Sequence, residues 1–441
     1  MRSVLAFATV FFSSAVWAGD FETDRFDNWH QWRGPLATGE APRGNPPTTW
    51  GENANIKWRA KLDGRGSASP IVWGDKVFVV TSVATDKKAE PMDRPNSDPR
   101  FDKKTQAPDY YYQFVVICLD RATGKERWRK IAAEKVPHEG HHETHSYAAG
   151  SPTTDGKLLY VSFGSFGIFA YDLDGNLNWQ RDLGRLNTRL GWGEAVTPVI
   201  HGDSLLLNWD QEADSALICL DANSGTTKWK VPRDEHTSWN TPLVVSVHGE
   251  FQVIVNATNR IRSYDLATGK PIWECDGMTV NAIPSAVAKD NVAYLMSGYK
   301  GQAAVAISLE SFGELSGTSK VIWRYAKGTP YVPSPLLLGE RLWFTQGNMQ
   351  MLTVLDIKTG KPVIDQERLP KVTSFYASPA AADGRIYFVG RDGTTVVLKQ
   401  SDRLELLAVN KLDDAIDASP AIVGKQLFLR GEKFVYCIEE K

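Results

Sequence analysis

The chain has 441 residues, of which 42% are hydrophobic and 23% charged, and its formal net charge is −2 at neutral pH. A chain of this length and composition can bury a large core. Its nearly balanced charge, without a basic stripe, excludes an electrostatic footprint for nucleic acid. We therefore expect a folded protein, a monomer, with no nucleic-acid partner.

The first segment, residues 1–18, has the pattern of a secretory signal peptide. Arg2 supplies the positive charge, residues 4–12 are apolar, and Ala18 ends an acceptable cleavage site. The apolar stretch is too short to span a bilayer, and no later segment is long and apolar enough to do so. The sequence thus predicts an exported protein, periplasmic or secreted, cleaved near Ala18.

Residues 52–441 contain one pattern that recurs eight times: a small residue, usually Pro, a short apolar run, a Gly turn and a second apolar run. Apart from the first interval of 82 residues, successive copies lie 41 to 51 residues apart. A period of this length indicates one supersecondary unit copied around a ring or along a rod. The prolines that mark the copies are Pro70, Pro152, Pro198, Pro242, Pro284, Pro335, Pro379 and Pro420.

One copy shows what the unit is. Residues 198–202, 203–209, 215–221 and 226–230 have the pattern of four short antiparallel strands separated by turns. Four such strands within one period make a blade of a β-propeller. The sequence therefore predicts an all-β, eight-bladed propeller.

The two ends of the repeat region are incomplete in complementary ways. Residues 55–61 resemble a fourth strand with no first three before them, whereas residues 419–439 contain three strands with no fourth. We expect the N-terminal strand to complete the C-terminal blade, because this closes the ring and removes its free edges.

Three stretches depart from the repeat. Residues 19–51 are rich in Trp, Pro and Gly and have no strand pattern, and we interpret them as an N-terminal arm laid across the propeller. Residues 84–112 are an insertion in the first blade, and its charged, Pro-rich start is typical of a solvated loop. Residues 308–319 are a small insertion in the fifth blade.

The four cysteines are expected to be unpaired. Cys118, Cys219 and Cys437 occupy the same position of the repeat, so the spacing of the blades holds them apart. They are interpreted as small buried hydrophobes, and Cys275 as a free thiol.

A turn closes several of the copies. Residues 119–128 and 264–273 share the sequence Asp-x-x-Thr-Gly-Lys-x-x-Trp, residues 355–361 repeat it without the Trp, and residues 171–179 are a shortened copy. Asp and Thr cap the turn, Gly takes the positive-φ position, and Trp is expected to pack between adjacent blades. These tryptophans are therefore interpreted as structural.

This turn, with the Ser-Pro-apolar-Gly opening, resembles the repeat of the pyrroloquinoline-quinone (PQQ)-type propellers across residues 52–441. That repeat builds quinoprotein alcohol dehydrogenases, and also the cofactor-free propeller lipoprotein of the outer-membrane β-barrel assembly machinery. The opening Trp29-x-x-Trp32-Arg-Gly-Pro, with residues 188–193, is similar to an exported branch of these propellers. The resemblance implies the fold, and it leaves enzyme and binding scaffold both open.

Ligands of propellers usually bind at one end of the central channel, where loops enter each innermost strand. Just before the repeat prolines the sequence places aromatic rings with a few carboxylates and amides, which suit a flat polar ligand or a sugar but would equally plug the channel. The candidate ligand-binding residues are Tyr147, Arg189, Trp192, Glu194, Trp239, Asn240, Asn281, Tyr331, Tyr376 and Asp417.

Glu194, Asn240 and Asp417 carry oxygen donors of the type that Ca²⁺ uses. The resemblance implies that a Glu, an Asn and an Asp hold Ca²⁺ and the quinone in the dehydrogenases. The consecutive cysteines that cover the quinone in many of those enzymes, and the haem-attachment sequence Cys-x-x-Cys-His, are absent from this sequence. We therefore expect no cofactor, with PQQ and Ca²⁺ as the alternative.

Half of the eight histidines fall between residues 138 and 145. On a helical turn, residues four apart would come together as metal ligands, whereas Pro137 and Gly140 favour a solvated polar loop. The candidate metal ligands are His138, His141, His142 and His145.

The leading hypothesis is an exported, non-catalytic propeller that binds a protein, peptide or glycan of the cell envelope at one face. The alternative is a PQQ- and Ca²⁺-dependent oxidoreductase that acts on alcohols or sugars. The fold does not decide between them, because function depends on the site.

Overall fold

The computed structural model describes residues 17–90 and 103–440, and this part of the chain is almost entirely β. Eight four-stranded antiparallel sheets follow one another along the chain. The predicted all-β, eight-bladed propeller is confirmed. The predicted signal peptide lies outside the described residues except for its last two, and the boundaries drawn for signal peptide, arm and propeller stay predictions.

The blades are numbered in chain order, and their strands run from the centre of the ring outwards. Blade one comprises Ile71–Trp73, Lys76–Lys88, Tyr110–Asp120 and Glu126–Lys135. Blade two comprises Thr153–Thr154, Leu158–Ser162, Ile168–Asp172 and Leu177–Arg181. Blade three comprises Val199–His201, Ser204–Trp209, Ala216–Asp221 and Thr227–Pro232. Blade four comprises Leu243–Val247, Glu250–Val255, Arg260–Asp265 and Pro271–Asp276.

The second half of the ring has the same construction. Blade five comprises Val287–Lys289, Val292–Ser297, Ala303–Ser308 and Val321–Tyr325. Blade six comprises Leu336–Leu338, Arg341–Thr345, Met351–Asp356 and Pro362–Arg368. Blade seven comprises Ala380–Ala382, Arg385–Val389, Thr394–Lys399 and Leu406–Lys411. Blade eight comprises Ala421–Val423, Gln426–Arg430, Phe434–Ile438 and the N-terminal strand Ile56–Lys61.

The ring is closed by its two ends, as predicted. Ile56–Lys61 pairs antiparallel with Phe434–Ile438, with Trp58 opposite Cys437. The N-terminal strand therefore serves as the outer strand of the last blade. Neither end of the ring is left with an unpaired edge of its own.

The few helices are short. They are an α-helix at Trp17–Asp24 and 3-10 helices at Arg25–Asp27, Gly164–Phe166 and Arg189–Gly191. Over residues 17–90 and 103–440, no helix has the length and apolar character needed to cross a bilayer.

One joint between blades is made by the closing turn. Asp120 accepts hydrogen bonds from the backbone N–H and the hydroxyl of Thr123, at 2.9 and 2.8 Å, and this fixes the turn. Gly124 follows at φ +72°, and a Cβ there would lie 2.5 Å from the ring of Trp58, which belongs to the neighbouring blade. The Trp58 indole N–H donates to the Arg121 carbonyl at 2.9 Å. Trp58 thus packs between blades eight and one.

The same joint recurs around the ring. In each case the tryptophan of one blade lies over the turn glycine of the next and donates to a carbonyl of that turn, at 2.8 to 3.1 Å. The pairs are Trp128 with Gly175, Trp179 with Gly225, Trp229 with Gly269, and Trp323 with Gly360.

A second joint lies at the centre of the ring. The residue that precedes the inner strand of one blade donates its backbone N–H to the side-chain hydroxyl at the equivalent position of the next blade. Six such bonds, of 2.7 to 3.1 Å, are present among the described residues. They are Ser69 to Ser151, Ser151 to Thr197, Thr241 to Ser285, Ser285 to Ser334, Ser334 to Ser378, and Ser378 to Ser419. We call this series the hydroxyl ring.

The hydroxyl ring corrects the repeat register in blade five. The inner strand there begins at Val287, and Ser285 makes the bonds that Ser or Thr makes elsewhere. Ala286 thus holds the position of the proline, and Pro284 precedes the pattern. The equivalent feature of the copies is therefore the hydroxyl, because the hydroxyl makes the contact between blades.

The insertions add strands to the propeller. Ala84 pairs with Tyr112 and Lys88 with Tyr110, so residues 84–88 of the first insertion extend blade one as a strand rather than a loop. The Pro-rich part of the predicted solvated loop begins at Pro91 and stays a prediction. Residues 91–102 lie outside the described part. The second insertion places Gly313–Glu314 parallel to Pro271–Asp276, as a fifth strand of blade four.

All four cysteines are free and buried, as predicted. Cys118, Cys219 and Cys437 lie on the third strand of blades one, three and eight. Burial raises the pKa of the Cys118 thiol to about 12, so it is an unreactive apolar group at neutral pH.

The N-terminal arm runs along the end of the propeller at which the inner strands finish. Trp29 exchanges backbone hydrogen bonds with Val72, in the inner strand of blade one, at 2.9 to 3.0 Å. Further along the arm, Ala41 donates to the Ala381 carbonyl of blade seven at 2.8 Å. His30 also accepts the Thr154 N–H of blade two at 2.9 Å, and Thr38 accepts the Leu337 N–H of blade six at 3.3 Å, so the arm crosses between opposite sides of the ring.

Arg33 fixes the arm over the centre. Its guanidinium is buried and donates to the carbonyls of Pro335, Pro379 and Thr38 at 2.7 to 2.9 Å. Pro335 and Pro379 immediately precede the inner strands of blades six and seven. Burial lowers the pKa of Arg33 to about 9, which still leaves it charged at neutral pH.

Candidate functional site

A cavity of about 480 Å³ lies at the centre of the ring, at the end where loops enter the inner strands. Its lining has two tiers, one aromatic and one of hydroxyls. The aromatic tier consists of Trp192, Trp239, Tyr299, Tyr331 and Tyr376. The hydroxyl tier consists of Ser67, Ser69, Ser151, Thr197, Thr241, Ser378 and Ser419. We call this space the central cavity.

The aromatic tier forms a continuous wall. The ring centroids of Trp192 and Trp239 lie 6.4 Å apart with an angle of 26° between the planes. Tyr299 meets Trp192 edge-on at 6.3 Å and stacks on Tyr331 at 4.7 Å. The Trp239 indole N–H donates to the Gly193 carbonyl at 2.8 Å. Each ring is held by its neighbours, so the wall presents ordered apolar faces.

The hydroxyl tier is the inner side of the hydroxyl ring. Ser151, Thr197, Ser378 and Ser419 each accept a backbone N–H from the preceding blade. Among the described hydrogen bonds their own O–H groups have no acceptor. The tier therefore offers the cavity a set of hydroxyl donors whose positions are fixed by the scaffold.

The floor of the cavity is Trp32 of the N-terminal arm. It lines the central cavity, and it also lines a second space of about 800 Å³ on the arm side. Its indole N–H points to the Ser419 hydroxyl at 3.4 Å, and the anchored Arg33 follows it in sequence. The arm thus separates the cavity from the other end of the ring.

One ion pair borders the cavity. Arg391 donates two hydrogen bonds to the carboxylate of Asp417, at 2.7 and 3.0 Å, and lies over the Tyr376 ring at 3.8 Å from its centroid. Burial raises the pKa of Asp417, and the Arg391 guanidinium opposes that rise. The pair is electrically balanced and leaves no free carboxylate there.

The loop of residues 137–147, here called the crossing loop, reaches over the rim. The His142 backbone N–H donates to the Trp192 carbonyl at 2.9 Å, and the Thr144 hydroxyl lies 3.1 Å from the Tyr376 hydroxyl on the opposite side. The His145 ring contacts the Glu194 carbonyl at 3.0 Å. Burial lowers the pKa of His145 to about 4, so it is neutral at pH 7.

The four histidines of this loop do not form the metal site considered from the sequence. The segment is not helical, and His141–His142 instead pairs with Thr105–Gln106 as a short two-stranded sheet. Within residues 17–90 and 103–440, the one group of three or more metal-ligand side chains with atoms within 4.8 Å of one another is His138, Glu139 and Glu194. Only His138 of the four belongs to it.

That group borders a second, small pocket. The His138 Nε2 lies 2.6 Å from the Leu186 carbonyl and 3.9 Å from Glu194 Oε1. Glu139 accepts hydrogen bonds from the N–H and hydroxyl of Thr188, at 3.0 and 2.5 Å. Since His138 Nε2 faces a carbonyl, this nitrogen is a hydrogen-bond donor and not a ready metal ligand.

Glu194 is held apart from the central cavity. One carboxyl oxygen accepts the Ser165 N–H at 2.7 Å, and the other is buried without a hydrogen bond. Burial and the nearby Glu139 charge raise the pKa of Glu194 to about 8, so it is largely protonated at pH 7.

The residues proposed to hold Ca²⁺ and PQQ do not fit such a group. Glu194 lines the small pocket, Asp417 is bound by Arg391, and the Asn240 amide is buried and donates to Ser238 and Asn256. Of the three, only Asp417 lines the central cavity. No shared set of free oxygen ligands results.

The other sequence-predicted residues are divided between the two spaces. Trp192, Trp239, Tyr331, Tyr376, His142 and His145 line the central cavity. Tyr147 lines the small pocket and meets His141 edge-on at 4.6 Å. Asn281 is buried at φ +58°, and the Arg189 N–H donates to Thr237 in a 3-10 turn.

We did not predict from the sequence that Trp32, Tyr299, Arg391 or the residues of the hydroxyl tier belong to the site. Tyr299 follows the second strand of blade five, and Arg391 follows that of blade seven, so neither precedes a repeat proline. The Ser or Thr before most repeat prolines was the available signal for the hydroxyl tier. Nothing in the repeat indicates Trp32, because the arm lies outside it.

Comparison with known proteins agrees with this fold. Residues 112–210 match the PQQ-repeat family described as Outer membrane protein assembly factor BamB. BamB from Moraxella catarrhalis is 15% identical, with a TM-score of 0.52 over 82% of this chain and 98% of that one. The computationally designed Ika8 protein is 12% identical, with a TM-score of 0.51 over 86% of this chain and 100% of that one.

A europium-containing methanol dehydrogenase is also similar, at 14% identity and a TM-score of 0.49, over 86% of this chain and 90% of that one. The search of curated proteins gives no match. The resemblance to PQQ-type propellers is confirmed, and the chain is an eight-bladed propeller with PQQ-type repeats.

Proposed function

We propose that this protein is an exported, non-catalytic propeller of the cell envelope that binds a protein, peptide or glycan in its central cavity. The observation that carries the proposal is the cavity itself, with a closed floor, an ordered aromatic wall and a tier of unused hydroxyl donors. These are features of a small-molecule or chain-end binding site.

The match of residues 112–210 to an outer membrane assembly factor supports an envelope location and a macromolecular partner. The signal-peptide pattern of residues 1–18 supports export. We further propose that the mature protein acts as a monomer, since the ring has no open blade edge at its closure.

Chemistry at the cavity wall supports binding over catalysis. The one carboxylate of the lining, Asp417, is bound at both oxygens by Arg391. His145 is neutral and in contact with a backbone carbonyl. Neither group is poised as a general base beside a free nucleophile.

The test is an oxidation assay with the purified protein, PQQ, Ca²⁺ and a redox dye, with primary alcohols and aldoses as substrates. The proposal predicts no rate above that of the protein-free blank. Turnover by the wild type that is lost in Trp192→Ala would establish the PQQ-dependent oxidoreductase instead.

A further inference from the structure

We propose that the central cavity binds the end of an uncharged carbohydrate chain. This inference rests on the proposed binding function and specifies its ligand. The floor of the cavity, its aromatic wall, its hydroxyls and its charge all favour such a ligand.

Because the arm closes one end of the cavity, a ligand can enter only from the opposite end. Trp32 closes the cavity on the arm side, and Arg33 holds the arm to the propeller by donating to the Pro379 and Pro335 carbonyls at 2.7 and 2.8 Å. A chain that threads the ring would have to displace these buried contacts. A chain end, or a small molecule, would not.

The wall suits the faces of sugar rings. Trp192, Trp239, Tyr299 and Tyr331 form one surface of locked rings. A pyranose ring presents C–H groups on its faces, and these pack on aromatic rings, while its hydroxyls point outwards. The aromatic wall can therefore contact the apolar faces of a sugar while the hydroxyl tier bonds to its hydroxyl groups.

The hydroxyl ring argues against a peptide bound by strand addition. Such a peptide needs free backbone N–H groups on the host. Here the N–H groups of Ser69, Ser151 and Ser378 are already donated to neighbouring hydroxyls. Side-chain hydroxyls remain, and each can donate to or accept from a sugar hydroxyl.

The charge of the lining argues against an anionic ligand. Apart from histidine, its ionisable side chains at neutral pH are Lys104 and Asp417, which are of opposite sign. Arg391 is occupied by Asp417, and burial keeps His145 neutral. A polyanion would lose its hydration without a matching excess of positive charge.

The experiment is calorimetric titration of the full protein with cellotriose, xylotriose, maltotriose and tri-N-acetylchitotriose. Trigalacturonic acid is the anionic comparison, and a mixture of N-acetylated tetrapeptide amides is the peptide comparison. We expect at least one neutral trisaccharide to bind, and more tightly than trigalacturonic acid.

Two variants locate the binding. Trp192→Ala removes part of the wall, and we expect affinity to fall roughly tenfold or more. Thr241→Val removes a lining hydroxyl that makes no hydrogen bond among those described but keeps the side-chain volume, and we expect a loss of roughly fivefold. Phe312→Ala, at a residue 83% exposed and outside the cavity lining, is the control and should bind as wild type.

The possible results separate the two proposals. If none of the four neutral trisaccharides binds at about 10 mM, which is roughly the weakest useful affinity, that result overturns the carbohydrate inference. So does tighter binding of trigalacturonic acid, or Trp192-dependent binding of the tetrapeptides. The tetrapeptide result would leave the binding function standing, whereas PQQ-dependent turnover would overturn that function as well.

Discussion

At the scale of single residues, glycine and tryptophan make the joints between blades. Two constraints disfavour a side chain at the turn glycine. One is the positive φ of the backbone, and the other is the tryptophan ring that lies against it. Gly225 has φ +70°, and a Cβ there would lie 2.7 Å from Trp179. Gly202 has φ +57° in the same blade, and a Cβ there would meet nothing within 4 Å.

Substitutions at Gly202 and Gly225 therefore separate the free-energy cost of the backbone strain from that of the contact with tryptophan. We expect Gly202→Ala to cost about 1 kcal/mol of unfolding free energy, from backbone strain alone. Gly225→Ala should cost roughly 1–3 kcal/mol more, because Trp179 must also move. Chemical denaturation of both variants gives the comparison, and equal costs would show that the tryptophan contact contributes nothing.

Glu194 gives a residue-scale prediction of pH dependence. Its pKa is raised to about 8 in the folded protein, from an ordinary value of 4.5. A raised carboxyl pKa stabilises the fold fully below the unfolded value, and that contribution is lost as pH rises from about 4.5 to 8. Between these values the unfolded chain is ionised while the folded chain keeps the proton.

Glu194→Gln removes this dependence, since glutamine stays neutral. We expect the melting temperature of the wild type to fall relative to the variant between pH 5 and pH 8. Melting curves of both proteins at unit steps of pH provide the measurement. Parallel curves over that range would contradict a buried, protonated Glu194.

At the scale of elements, the closing strand decides whether the ring is continuous. Ala60 lies opposite Val435 in the pairing of Ile56–Lys61 with Phe434–Ile438. Residues opposite each other on adjacent antiparallel strands have the separation that a disulfide needs. The pairing therefore predicts that cysteines at these two positions can be linked.

We expect the double variant Ala60→Cys, Val435→Cys to form that disulfide on oxidation and to unfold at higher temperature than its reduced form. The bond closes a very long loop, so we expect a stabilisation at the upper end of the range that disulfides give, about 4–5 kcal/mol. Ala60→Cys alone is the control. Six free thiols in the denatured, oxidised double variant, in place of the four native ones, would contradict this register.

The elements were also the part of the structure that the sequence predicted best. In blade three the expected strands at residues 203–209 and 215–221 correspond to Ser204–Trp209 and Ala216–Asp221. The repeat fixes such limits because every copy has the same turns. The proline pattern placed the start of blade five too early. Pro284 there precedes the hydroxyl-bearing Ser285, whereas in the other copies the proline follows the residue at that position.

The site was predictable only as far as the repeat reaches. Trp192, Trp239 and Tyr331 were found because residues before the inner strands all lie at one end of the ring. Glu194, two residues after Trp192, turns into the small pocket beside Gly164, whose missing side chain makes room for it. The path of an irregular loop depends on tertiary contacts, and sequence periodicity does not report them.

At the scale of the whole molecule, the propeller is a ring with one end covered by its own N-terminal arm. The arm converts a channel into a cavity, and Trp32 and Arg33 make the cover rigid. We propose that this cavity binds its ligand without cofactor chemistry.

Thermal unfolding of the full protein tests that claim most directly, with samples containing Ca²⁺, PQQ with Ca²⁺, or each neutral trisaccharide. A ligand at about 100 times its Kd stabilises the fold by roughly 2.7 kcal/mol, which is a resolvable shift. We expect the melting temperature to rise with at least one trisaccharide, not to rise with that sugar in Trp192→Ala, and not to rise with PQQ and Ca²⁺. A shift with PQQ and Ca²⁺, and with no trisaccharide, would contradict it.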